Sequence, residues 1–151
     1  MSMAVPTIRL ANVTDADAIS ELFTQLGHPA GPEEVAARLE RFGQAHEEAL
    51  VAELHGVVVG VTALSVMPTL HRPSSVGRMS VLVVAEAMRG RGIGRALVAA
   101  AEARLRERGC ALAEVTSNQR RVEAHRFYES LGYEKTSFRF FRSLADTPHR
   151  D

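Results

Sequence analysis

Three glycines within five residues, Gly90, Gly92 and Gly94, separate the apolar run 79–84 from the strongly helical stretch 96–108. An apolar run, a turn that glycine negotiates without steric cost and then a helix dictate a strand–turn–helix unit. Such a turn leaves its N–H groups uncovered, and the following helix aims its positive N-terminal end into the same small space. Arg89, Arg91 and Arg95 stand among the glycines. Backbone donors, a helix dipole and guanidinium groups together describe a cradle for phosphate groups. A tight turn by itself needs one glycine and no arginine, so this stretch carries more than geometry requires.

The charge balance makes that cradle a local feature. Lys and Arg number 18, Asp and Glu number 18, and the formal net charge is zero. No global field favours nucleic acid or an anionic membrane surface, and the arginines suit a small anionic ligand. A chain of 151 residues is expected to form one domain, 1–151, with a core that needs neither disulfide nor metal. The single cysteine, Cys110, excludes an intramolecular disulfide and a cysteine-based zinc cluster. At a helix–strand junction it reads as a small buried filler. No run approaches the roughly 18 apolar residues of a membrane span, and no basic stretch with an apolar core opens the chain. A cytoplasmic location is expected.

Ile8 and Leu10 alternate with polar neighbours as in a short strand. Thr14 reads as a helix N-cap with Asp17 in the first turn, and Ile19, Leu22, Phe23 and Leu26 follow at helical spacing up to Gly27. A second helix starts near Pro32 and continues through Val35, Leu39 and Phe42. Runs 50–54 and 57–66 flank His55-Gly56 as a hairpin, and a strand resumes at 76–84. Ile93, Leu97, Ala101 and Leu105 stripe the long helix, which Gly109 ends. Residues 112–116 read as a buried strand, 121–131 as a helix, and Phe138, Arg139 and Phe140 as alternating positions of closing strands. The expected fold class is α/β, with a mixed and mostly antiparallel central sheet flanked by helices.

Two readings of the glycine-rich turn fail. A P-loop needs Gly-Lys followed by Ser or Thr, but Gly94 is followed by Arg95 and Ala96. A dinucleotide fingerprint counted from Gly90 puts Arg95 where its third glycine belongs. Arg89-x-x-Gly92-x-Gly94, behind a strand ending Leu82-Val83-Val84, instead resembles motif A of the GNAT superfamily of acyl-CoA-dependent N-acetyltransferases. Downstream, Thr116-Ser117-Asn118 followed by the run from Ala124 to Tyr133 resembles that family's motif B. Element order matches as well, so the resemblance covers nearly the whole chain.

The resemblance implies a division of labour. Main-chain N–H groups from Arg89 through Gly90, Arg91, Gly92, Ile93 and Gly94 to Arg95 would hold the pyrophosphate of coenzyme A. Leu82, Val83 and Val84 would pair with the pantetheine arm like an added strand. Asn118 matches a pantetheine-contacting position, and equally reads as a local cap. Tyr128 matches the tyrosine that protonates the departing thiolate, though Ala124, Phe127, Tyr128 and Leu131 also form one helical face that suits a core. An acceptor amine would attack the thioester of acetyl-CoA directly, with the Val84 N–H stabilising the oxygen and no metal required.

The acceptor would be a small-molecule or protein amine. Strand 76–84 contains no acidic residue, so His71, Glu53, Glu86, Glu114, His125 or an ordered water are the candidate general bases. The acceptor site is expected among the loop between the first two helices, residues 68–75 and the C-terminal strands. Phe138, Phe140 and Phe141 offer an apolar surface for a homodimer, by analogy with the family. The rival reading is a non-catalytic acyl-CoA-binding module on the same fold.

Overall fold

The computed structural model describes residues 4–146. They form two compact units, one ending at Val115 and one beginning at Thr116. In the first unit, five strands lie side by side in chain order: β1 (Thr7–Leu10), β2 (Glu48–Leu54), β3 (Val57–Met67), β4 (Ser75–Val84) and β5 (Cys110–Val115). The first four are antiparallel neighbours, and β5 joins β4 in parallel. The chain therefore adopts the mixed, mostly antiparallel α/β sheet that its sequence predicts. Between β2 and β3, His55 and Gly56 both take left-handed angles (φ 51° and 77°), as a two-residue hairpin of matching twist requires.

Helices α1 (Ala16–Leu26) and α2 (Pro32–Gln44) cover one face. Ile19, Leu22 and Val35 pack there against Val51, Val61 and Val83 of the sheet. The start of α1 differs from the sequence expectation of a Thr14 cap. Residues 13–15 form a 3-10 turn, so the orphan N–H groups fall further upstream and Asn12 serves them instead. Asn12 Oδ1 accepts from the Thr14 N–H at 3.0 Å, and the Asp15 carboxylate accepts from the Asn12 N–H at 2.9 Å. Asp15 is buried and takes both Arg9 Nη1 and Nη2 at 2.9 Å, while Arg9 Nε reaches Glu53 at 3.0 Å. One guanidinium thus ties β1, β2 and the head of α1 together.

Helix α3 (Ile93–Glu107) covers the opposite face, since Gly60 and Val61 are successive residues of one strand. Two glycines permit its close approach. A Cβ at Gly60 would stand 2.9 Å from Leu97, and one at Gly77 would stand 2.7 Å from Leu105. At these two points α3 rests on backbone.

Strand β4 carries one extra residue. Its register against β3 runs Val84 to Gly60, Val83 to Val61, Leu82 to Thr62 and Val81 to Ala63, then steps to Met79 opposite Leu64. Ser80 is the bulged residue. Because sheet faces alternate with period two, this insertion puts Gly77 and Leu82 on the α3 face despite their unlike parity. Strand β5 accompanies β4 only from Ser75 to Met79, so the two part at the bulge.

In the second unit, α4 (Val122–Ser130) ends in Gly132 at φ 93°, and the Tyr133 N–H closes on the Tyr128 carbonyl at 3.0 Å. The closing strands expected around Phe138 and Phe140 are not formed. Residues 133–144 carry no strand, and Phe138 and Phe140 are 78% and 92% exposed. Alternation supplies a face, but a strand also needs a neighbour's main-chain groups.

Candidate active site

Beyond the bulge, the main-chain groups of β4 divide cleanly. Ala85 donates its N–H to the Val59 carbonyl at 2.8 Å, and the register is constant back to Val81. In an antiparallel ladder alternate residues exchange both bonds, so Val81, Val83 and Ala85 turn their N–H and C=O toward β3. Leu82 and Val84 turn theirs to the other edge, where no strand of the sheet accompanies them. That edge is a template for one more extended chain. Val83, grouped with its neighbours on sequence grounds, has its side chain in the α1–α2 core and its main chain committed to β3.

The edge runs directly into the glycine turn. Residues 86–88 form a short 3-10 turn whose first N–H, that of Glu86, is accepted by Gln25 Oε1 of α1 at 2.8 Å. Arg89 Nε donates back to the Val84 carbonyl at 3.3 Å. Gly90 and Gly92 take φ of 79° and 81°, a region costly for any residue with a Cβ. A Cβ at either would meet no atom within 4 Å. The glycines are needed for the path of the chain, and space stands open in front of them.

The ladder of α3 begins with the Ala96 N–H on the Gly92 carbonyl at 3.0 Å. The N–H groups of Ile93, Gly94 and Arg95 lie ahead of it, at the positive end of a 15-residue helix. Ile93 is buried and anchors the helix start, whereas Arg89, Arg91 and Arg95 are exposed around the turn. An anion held here meets backbone donors first and guanidinium groups second, and the residues fit a diphosphate.

In the second unit, Tyr128 packs against Phe127 at 5.4 Å and Tyr133 at 5.9 Å between ring centroids. Burial raises its phenol above the ordinary value of 10.0, with Arg121 opposing, so the proton stays on the oxygen at neutral pH. Asn118 serves its own turn. Its Oδ1 accepts from the Arg120 N–H at 3.0 Å, and its carbonyl takes Arg121 N–H at 3.0 Å and His125 Nε2 at 2.8 Å. Asn118 thus closes a side-chain turn just ahead of α4, whose N-cap, Arg121, makes no side-chain cap bond, and the amide NH₂ is the end of the side chain that this turn leaves over.

The candidate bases separate by their partners. Glu53 is bound to Arg9, Glu114 takes Arg78 Nε and Nη2 at 2.9 and 2.7 Å, and His125 is held by the Asn118 carbonyl. His71 and Glu86 stand exposed. A hollow of about 500 Å³ lies away from the turn, among Leu39, Phe42, Glu48, Arg104 and Arg108 near the far end of α3. The Glu48–Arg104 ion pair fills its polar wall and holds the Glu48 carboxyl below its usual range.

Sequence reasoning missed the bulge at Ser80, the supporting Gln25 and the buried Thr62, whose hydroxyl donates to the Val81 carbonyl at 2.7 Å. Each depends on a partner 15 or more residues away, and none leaves a local pattern.

An open strand edge that leads into a helix start with leading N–H groups is an arrangement suited to an extended ligand with phosphates at one end. Residues 16–133 match the family model described as acetyltransferase (GNAT) family. An aminoalkylphosphonate N-acetyltransferase of Salmonella typhimurium is 35% identical over 147 residues, 94% of each chain. A transcriptional regulator from Bacillus halodurans has a similar structure (TM-score 0.85, 26% identity, covering 92% of this chain and 99% of that one). An aminoglycoside N-acetyltransferase in complex with CoA shares the fold (TM-score 0.83, 22% identity, covering 96% and 99%).

This chain belongs to the GNAT acetyltransferase family. It is an acyltransferase that moves an acetyl group to an amine, and acetyl-CoA is the donor the family uses. Among the described residues no helix is long and apolar enough to cross a membrane, and no group of three or more His, Cys, Asp or Glu is placed to hold a metal ion.

Proposed function

We propose that the two units act as one catalytic domain which binds acetyl-CoA along the outer edge of β4 and transfers its acetyl group directly to a small primary amine. The observation that carries this reading is the continuity of the Leu82–Val84 edge with the Gly90–Gly92 turn and the first N–H groups of α3. The bound donor supplies an activated thioester carbonyl. Leu82 and Val84 offer alternating N–H and C=O groups to the amides of the pantetheine arm. The turn and the N–H groups of Ile93, Gly94 and Arg95 hold the pyrophosphate, with Arg89, Arg91 and Arg95 adding charge. The thioester is the end of the arm farthest from the pyrophosphate, so the edge N–H farther from the turn, that of Leu82 rather than Val84, donates to the oxygen that gathers negative charge as the amine attacks. Tyr128, kept protonated by burial, gives its proton to the departing sulfur. The amine loses its own proton to His71, Glu86 or water, the candidates held neither by an arginine nor, like His125, by a main-chain carbonyl.

For the acceptor, the relation to the aminoalkylphosphonate enzyme favours a small amine that also bears an acidic group. A polycationic acceptor would call for a carboxylate cluster, and Glu53 and Glu114 are already neutralised by arginine. A cytoplasmic location belongs to the same reading. So does a homodimer joined through residues 133–144, whose Phe138 and Phe140 are exposed. Sedimentation of the wild type against Phe140→Ser should show a dimer lost in the variant, and a wild-type monomer would overturn that part.

The test is thiol release from acetyl-CoA over a panel of aminoalkylphosphonates, amino acids, aminoglycosides and lysyl peptides. Turnover on the phosphonates is the expected result, and turnover on another class alone would replace the acceptor. Gly92→Asp, which sets a carboxylate in the open space before the turn, should abolish acetyl-CoA binding in a folded protein. Near-native affinity in that variant would overturn the cradle.

A further inference from the structure

Thr62 has no exposed surface, yet it is polar and takes no part in the mechanism above. A hydroxyl in so dry a place is costly unless it makes a bond that matters, and valine would fill the same space. Thr62 lies on β3 opposite Leu82, two residues from Gly60 and hence on the face that α3 covers. Its Oγ1 donates to the Val81 carbonyl at 2.7 Å. Val81 follows the bulged Ser80 directly, at the point where β5 has parted from β4.

The carbonyl of Val81 and the N–H of Leu82 belong to one planar trans peptide, so they point in opposite directions. Fixing that carbonyl toward β3 fixes the Leu82 N–H toward the open edge. A bulge otherwise loosens the ladder locally, because its extra residue is unpaired. We propose that Thr62 is a positioning residue for the donor: its hydroxyl clamps the peptide between Val81 and Leu82 so that the Leu82 N–H faces the pantetheine arm. The proposal rests on the acetyl-CoA reading given above. It assigns to a core threonine on a neighbouring strand the alignment of an edge that it does not itself form.

Two ligands separate alignment from packing. Acetyl-CoA engages both the edge and the turn, whereas 3′-phosphoadenosine 5′-diphosphate, the nucleotide half without pantetheine, engages the turn alone. Titration calorimetry is run with both on the wild type and on Thr62→Val, Thr62→Ala and Thr62→Ser, with urea unfolding alongside. Thr62→Val should weaken acetyl-CoA by about three- to tenfold, the value of one hydrogen bond, while the nucleotide half binds as before. Thr62→Ser, which keeps the hydroxyl, should restore acetyl-CoA affinity.

Equal loss for both ligands, unchanged acetyl-CoA affinity in Thr62→Val, or a serine variant that behaves like valine would overturn the proposal while leaving the acetyl-CoA reading intact. Unfolding of both Thr62→Val and Thr62→Ala would make the residue a packing element and overturn it too. A wild type that binds the nucleotide half but not acetyl-CoA would instead overturn the reading beneath it.

Discussion

At Tyr128 a single hydroxyl separates a packing aromatic from a proton donor. Its ring contacts with Phe127 and Tyr133 survive replacement by phenylalanine, so Tyr128→Phe isolates the hydroxyl. We expect kcat to fall by about 100-fold, with acetyl-CoA affinity and melting temperature nearly unchanged. Single-turnover kinetics check this, and an unchanged rate would return the residue to packing alone. Burial raises the phenol above 10.0, so the alkaline loss of wild-type activity through this group should lie above that pH. The glycine turn was legible in the sequence because Gly90, Arg91 and Gly92 are adjacent and each residue type has its own reason to be there. Ion pairing was not legible: Glu53 and Glu114 read as free carboxylates, and only the fold sets Arg9 and Arg78 beside them.

Among the elements, α3 decides where the cradle stands, and it rests on two glycines. Gly60→Ala would press a Cβ against Leu97 at 2.9 Å and lies within reach of Ile93 Cγ2 at 3.4 Å, the first residue of the helix. Gly77→Ala presses on Leu105, three turns further along. Each should cost about 1–3 kcal/mol through overpacking, measured by urea unfolding. Only Gly60→Ala should also raise the KM for acetyl-CoA several-fold, because it displaces the helix start. Equal effects of the two on KM would show that the helix moves as a rigid rod. Helix and hairpin positions followed from periodicity and turn residues, but the bulge at Ser80 did not. Residues 81–84 are apolar without interruption, so a strand covered on both faces shows no alternation for an inserted residue to break. The aromatic alternation at 138–140 erred in the other direction, a strand pattern without a strand.

For the molecule as a whole, acid should unfold it in steps that its half-buried ion pairs set. The Arg9 hydrogen bonds hold Asp15 below its ordinary 3.8, and Arg104 holds Glu48 below 4.5. With folded values depressed, the unfolded chain binds protons first as pH falls. The stabilisation is therefore complete above about pH 5 and is lost as pH drops through the folded values. Asp15→Asn should lower stability by about 1–3 kcal/mol at pH 7 and flatten the acid limb of the melting curve. An acid limb identical to wild type would show that other carboxylates set it.

The sequence by itself determined the strand–turn–helix cradle, the order of the elements, the α/β class and the family, since each is written in residues near one another in the chain. Tertiary structure alone decided which backbone groups are free. Leu82 and Val84 differ from Val83 only in the direction of their peptides, and that direction is set by the register with β3 and by the bulge. Hydrogen-bond direction is a property of a strand pair, and one strand's sequence does not contain it.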